Sequence, residues 1–302
     1  MSSRNEVLEK IALDKAKTYV ERPDTVAVAI TGSIGRGMMW EGSDVDLWVY
    51  RKGKRAFEDG WDLTHGIYWE ADIESAELLD IQIDNYTWLR PHALYGDEIG
   101  LMEALWGCRV YYDSTGKLSA IKQAIDSRVA NKRWMHHRAE LFISYGRGCL
   151  AGLQSADALT AILAARVVAT DYGITAYWMR RGKLLTSAVR VPERLASEPE
   201  LQRLYTEVFG LTGRIGAEGF LENLKRLPIQ IQDAVEGDVE ECKPALKLGY
   251  YDGVIRHLRQ GMAFWFKPNE VMPVLGLWDD LEIQKGEVLE KVGVILDLCE
   301  AL

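Results

Sequence analysis

The stretch TGSIGRGMMWEGSDVDLWVY, residues 31–50, constrains this chain more than any other. TVAVAIT (25–31), which overlaps its start, reads as a short buried strand, and VDLWVY (45–50), at its end, reads as a second. Asp44 and Asp46 lie two residues apart at the head of the second strand, so their side chains leave the same face. Two carboxylates that close together disfavour joint ionisation unless a cation compensates. The fold must therefore bring something positive to this face, just after a turn of small residues.

Mg²⁺ is the natural candidate, because it takes hard oxygen ligands and keeps waters for a substrate's phosphates. A third acidic strand position would complete a two-metal clamp for in-line phosphoryl chemistry. GIYWEADIES (66–75) offers one. Ile67, Trp69, Ala71 and Ile73 alternate there with Tyr68, Glu70, Asp72 and Glu74, the period of a strand with one polar face. Glu70 and Asp72 share that face.

The Gly32-Ser33 pair supplies the other half of such a site. Glycine allows close backbone approach, and a helix start at this point offers N–H groups to phosphate. The Ser33 hydroxyl adds a donor, and Arg36 can pair with phosphate charge. The spacing is neither the dinucleotide GxGxxG nor a P-loop, whose lysine is absent.

The surroundings of the motif set the expected architecture. Residues 5–21 carry an amphipathic helical stripe, RKGKRAFEDG (51–60) reads as a charged connector, CRVYYD (108–113) as a strand, and GKLSAIKQAIDSRV as a helix. From Trp134 onward the patterns are helical: 134–154, 156–182, about 196–210, 215–235, 239–265 and 285–301. VPERLASEPE, KPNEVMP and GLWDD act as breakers between some of them. The expected fold class is α+β, a mixed-sheet domain over residues 1–130 followed by an all-α helical bundle over 131–302.

Composition narrows the function classes. A formal net charge of -9 over 302 residues argues against a broad electrostatic grip on nucleic acid. Cys108, Cys149, Cys242 and Cys299 stand far apart with no CxxC, which fits neither a zinc site nor a disulfide framework and points to a reducing cytoplasm. The amino terminus lacks an apolar signal region, and no run approaches the roughly 18 apolar residues of a membrane span.

The pattern resembles the DNA polymerase β-like nucleotidyltransferase superfamily, and within it the kanamycin nucleotidyltransferase type of aminoglycoside-modifying enzyme. TGSIGRG, SDVDLWV, WEADIESAELLD, YYDSTGKL and RAELFISYGR carry the resemblance, in order, over about the first half of the chain. It implies Asp44, Asp46 and Glu70 as metal ligands, with Asp72 as the substitute for Glu70, and Gly32, Ser33 and Arg36 at the nucleotide's phosphates. Glu140 matches the helical glutamate that takes the proton from the attacking hydroxyl. The resemblance further implies two Mg²⁺ ions and ATP or another nucleoside triphosphate. Its acceptor would be a small molecule of the aminoglycoside type, its role antibiotic resistance, and its assembly a homodimer. Two other readings stand beside this one: nucleotidyl transfer to a protein or RNA acceptor, and a non-catalytic nucleotide-binding module of regulatory or antitoxin-like kind.

Overall fold

The computed structural model describes residues 3–40, 42–79, 81, 102, 104–184, 190–277 and 280–301. Asp80, at the end of WEADIESAELLD, and Trp278-Asp279 of GLWDD lie outside the described residues. The chain divides into two compact units, Met1–Asn131 and Lys132–Leu302. The first is α+β around a mixed sheet and the second is helical.

Among the described residues, five strands form the sheet of the first unit: β1 (Thr25–Ile30), β2 (Val45–Arg51), β3 (Ala56–Asp62), β4 (Ile67–Ser75) and β5 (Arg109–Asp113). Their order is β3-β4-β2-β1-β5. β2 runs parallel to β4, and the other neighbours pair antiparallel.

Helix α1 (Arg4–Val20) covers one face. Its start is fixed by a capping box, in which Ser3 Oγ accepts from Glu6 N at 3.3 Å and Glu6 Oε2 accepts from Ser3 N at 2.7 Å. Its stripe of Leu8, Ile11, Ala12, Ala16 and Tyr19 joins Val45, Leu47, Val49, Ala71 and Ile73 in one core. Each fully buried Leu, Ile or Val in such a core contributes about 1.5–3 kcal/mol. Strand alternation then sends Asp46, Trp48, Glu70 and Asp72 to the opposite face.

The expected connector at 51–60 is instead largely strand β3, AFEDGWD. Among the described residues it pairs only with β4, at the sheet's edge, and Phe57 and Trp61 remain 55% and 38% exposed, so it shows no buried apolar face to read. What holds it is polar. Glu58 accepts two bonds from Arg22, at 2.8 and 2.9 Å, and one from Tyr19 Oη at 2.8 Å. After β5, α3 (Lys117–Ala130) closes the unit.

The second unit begins with α4 (Lys132–Leu153). Ala158–Arg180 is one continuous helical stretch with a π-helical segment at Val168–Ile174. By length and composition it is apolar enough to cross a membrane, against the sequence expectation that no run is. However, 61% of its most apolar window is buried within the protein, as in a core helix. Arg166, 4% exposed, lies within it and donates to the carbonyls of Val208, Leu275 and Gly276.

The expected helices 215–235 and 239–265 are in fact three: Gly213–Leu224, Ile229–Lys247 and Tyr251–Trp265. Pro228, which has no N–H to continue a ladder, separates the first two, and Gly249 at φ 86 separates the last two. The expected helix at about 196–210 is Pro199–Phe209, with proline at its first turn, and the expected breaker VPERLASEPE itself holds a short helix, Val191–Arg194.

Candidate functional site

The site grows from the end of β1. Thr31 N donates to the Asp46 carbonyl at 2.9 Å, which ties the end of the first strand to β2. The chain then turns through a single helical turn, α2 (Gly32–Gly35). Gly32 has φ +57, and a Cβ built on it would stand 1.6 Å from Asp46 Oδ2. The Asp46 carboxylate therefore occupies the place where any other side chain at 32 would begin. Glycine is required twice over, by backbone conformation and by this approach. The Gly-Ser turn and the acid strand are in direct contact.

Register gathers the acids. Asp46 pairs with Glu70 across β2 and β4, and Glu70 pairs with Asp59 across β4 and β3, so three carboxylates share one rung of the sheet. Asp72 pairs with Trp48, one pleat further along. Register thus sets Glu70 beside Asp46, and Asp72 beyond it. Glu70 is raised from the ordinary carboxylate range to about 7, first by burial, then by the charges of Asp44 and Asp72; a hydrogen bond with Asp46 works in the opposite direction. Burial also raises Asp72, against the pull of Arg55.

Among the described residues, no three or more His, Cys, Asp or Glu side chains stand ready as a metal-ligating group. The chemistry of Asp44, Asp46 and Glu70 nonetheless fits a hard divalent cation. The set is all carboxylate, Glu70 is raised first by burial and then by the charge of Asp44, and Asp46 lies against a backbone that glycine alone lets come so near.

The other residues singled out in the sequence fall as follows. Ser33 Oγ donates to Ser43 Oγ at 2.8 Å. Arg36 caps the end of α2, and its stem lies against Gly107, where an added Cβ would be 2.9 Å from Arg36 Cγ. Its charge bears on the thiol of Cys108, which burial pushes up to about 12. Glu140 belongs to the second unit, is exposed on α4, and faces His137 Nδ1 at 3.6 Å. Sequence reading passed over Asp59 because its strand looked like a connector. It also passed over Ser43, for which only its place before Asp44 was a signal.

A groove of about 630 Å³ lies apart from the acids, lined by residues of α2, β5 and α3 that include Gly35, Arg109, Lys122 and Asp126.

No protein-family model matches the chain, and no curated protein matches it. Among solved structures it is similar to the crystal structure of a nucleotidyltransferase-like protein from Exiguobacterium sibiricum 255-15. The identity is 12%, over 96% of this chain and 90% of that chain, with a TM-score of 0.29. At that level of likeness the functional reading stands on the site's own geometry.

Proposed function

We propose that the chain is a Mg²⁺-dependent nucleotidyltransferase that moves a nucleoside monophosphate, AMP from ATP in the simplest case, to a hydroxyl of a small molecule and releases pyrophosphate. One observation carries the reading. The Gly32 turn lies against the Asp46 carboxylate while Glu70 stands beside Asp46 in the same rung.

Asp44, Asp46 and Glu70 would hold the metal. When bound, Mg²⁺ neutralises phosphate charge and orients the α-phosphorus for in-line attack. The backbone N–H groups of the turn and the Ser33 hydroxyl would hold the outer phosphates, and the close approach of Gly32 to the Asp46 carboxylate supports that role. The attacking hydroxyl must lose its proton to a base, the role the resemblance gives to Glu140. Arg36 would act as a secondary phosphate partner. An aminoglycoside-like polyol amine is the acceptor class to try first, and a homodimer the assembly the resemblance implies.

The test is pyrophosphate release from Mg²⁺ and several nucleoside triphosphates across a panel of hydroxyl acceptors. Acceptor-dependent release supports the reading. Nucleotide binding with no turnover against a broad panel would favour a non-catalytic module, and label from ATP appearing on a macromolecule would move the acceptor to protein or RNA.

A further inference from the structure

Ser43 sits directly before the acid pair and is 4% exposed. It closes a small turn by two bonds in opposite senses: its N donates to the Trp40 carbonyl at 3.0 Å, and its Oγ accepts from Trp40 N at 2.9 Å. The Trp40 ring lies over residue 42, where an added Cβ would come within 2.4 Å of it. The same Ser43 oxygen also accepts the Ser33 hydroxyl at 2.8 Å. Met38 N holds the Ser33 carbonyl at 2.8 Å, so Ser33 is tied to the 38–43 segment through both backbone and side chain.

A hydroxyl has one proton and two acceptor positions. Both acceptor positions of Ser43 are filled, by Trp40 N–H and by Ser33 O–H. The Ser33 proton is therefore already committed in the free protein. If the contact between the two serines is to survive when a phosphate receives that proton, its direction must reverse. The Ser43 proton is the one at hand, and the Trp40 bond can stay in place while it turns.

We infer that Ser43 is the positioning residue for Ser33: it holds the Ser33 hydroxyl in the free protein and donates its own proton to Ser33 Oγ when Ser33 turns its O–H to a nucleotide phosphate. The inference rests on the nucleotidyltransferase reading above.

Calorimetric titration of wild type, Ser33→Ala, Ser43→Ala and the double variant with Mg²⁺-ATP tests it, with thermal unfolding of each as a check on folding. Each single variant should weaken binding roughly tenfold, the size of one hydrogen bond to a charged group. The double variant should be no weaker than Ser33→Ala alone, and Ser43→Thr, which keeps the hydroxyl, should restore most of the affinity. If the alanine variant does not fold, Ser43→Cys gives the same comparison with near-equal volume and a weak donor. Losses that multiply in the double variant, or a Ser43→Ala protein that binds like wild type, overturn the inference while wild-type binding stands. A wild type that does not bind Mg²⁺-ATP overturns the nucleotidyltransferase reading and this inference with it.

Discussion

Gly32 and Asp46 are in contact so close that a single added carbon on residue 32 would stand 1.6 Å from the Asp46 carboxylate oxygen. Gly32→Ala must therefore displace either the turn or the acid, and it also forces a side chain into φ +57. The backbone penalty alone is about 1–3 kcal/mol. Denaturant unfolding should show at least that loss, and pyrophosphate release should fall to background. Gly37 is the control: its φ is +65 but an added Cβ meets nothing within 4 Å. Gly37→Ala should show only the backbone penalty and keep its activity.

Register separates Glu70 from Asp72. Glu70→Gln removes the carboxylate that shares a rung with Asp46, whereas Asp72→Asn changes a residue paired with Trp48. Glu70→Gln should lower activity by about 10²-fold or more, a loss typical of removing a group that stabilises developing charge, and should abolish the rise in melting temperature that Mg²⁺ gives the wild type. Asp72→Asn should keep that rise. The opposite pattern would make Asp72 the ligand.

Glu140 is exposed and paired with His137 across 3.6 Å. Replacing it by Gln should leave the unfolding free energy within about 0.5 kcal/mol of wild type, as for an ordinary surface substitution. Turnover should fall about 10²–10⁴-fold, the size of a lost general base. Unchanged turnover would assign the base elsewhere.

A pH effect on stability follows from Asp113, at the turn that leads from β5 into α3. Its carboxylate accepts from Thr115 N, Gly116 N and Ser119 N at 3.2, 2.8 and 2.8 Å, and from the hydroxyls of Thr115 and Ser119. Burial pushes its pKa up, but these bonds favour the charged form and leave it below the ordinary aspartate value. A folded pKa below the unfolded one stabilises fully above the unfolded value, and the contribution is lost as pH falls through the folded value. Unfolding measured from pH 7 downward should show Asp113→Asn less stable by about 2 kcal/mol at neutral pH. The gap should narrow as pH falls below the ordinary aspartate value and through the lower folded one. A constant gap at all pH values would contradict the assignment.

Much of the candidate site's framework was legible because two simple periodicities carry it. Asp44-x-Asp46 and the alternation around Glu70 announced strands with acid faces, and the Gly-Ser pair announced a close approach. Both strands are present, as is the helical turn that precedes the first of them. Sequence spacing cannot give register between strands, so it left Glu70 and Asp72 open. Strand β3 escaped because an edge strand bonded on one side needs no apolar face, and Arg22 and Tyr19 hold Glu58 instead. Ser43 escaped for another reason: two serines ten residues apart have no periodicity, and only the folded turn brings their hydroxyls together. The helix breaks near Pro228 and Gly249 were written in the residues but lay inside continuous apolar patterns.

The most direct measurement is acceptor-dependent pyrophosphate release from Mg²⁺-ATP, made side by side on wild type and on Asp44→Asn plus Asp46→Asn. Release by the wild type that disappears on metal chelation and in the double variant is the predicted result. Full activity in the double variant would contradict the account.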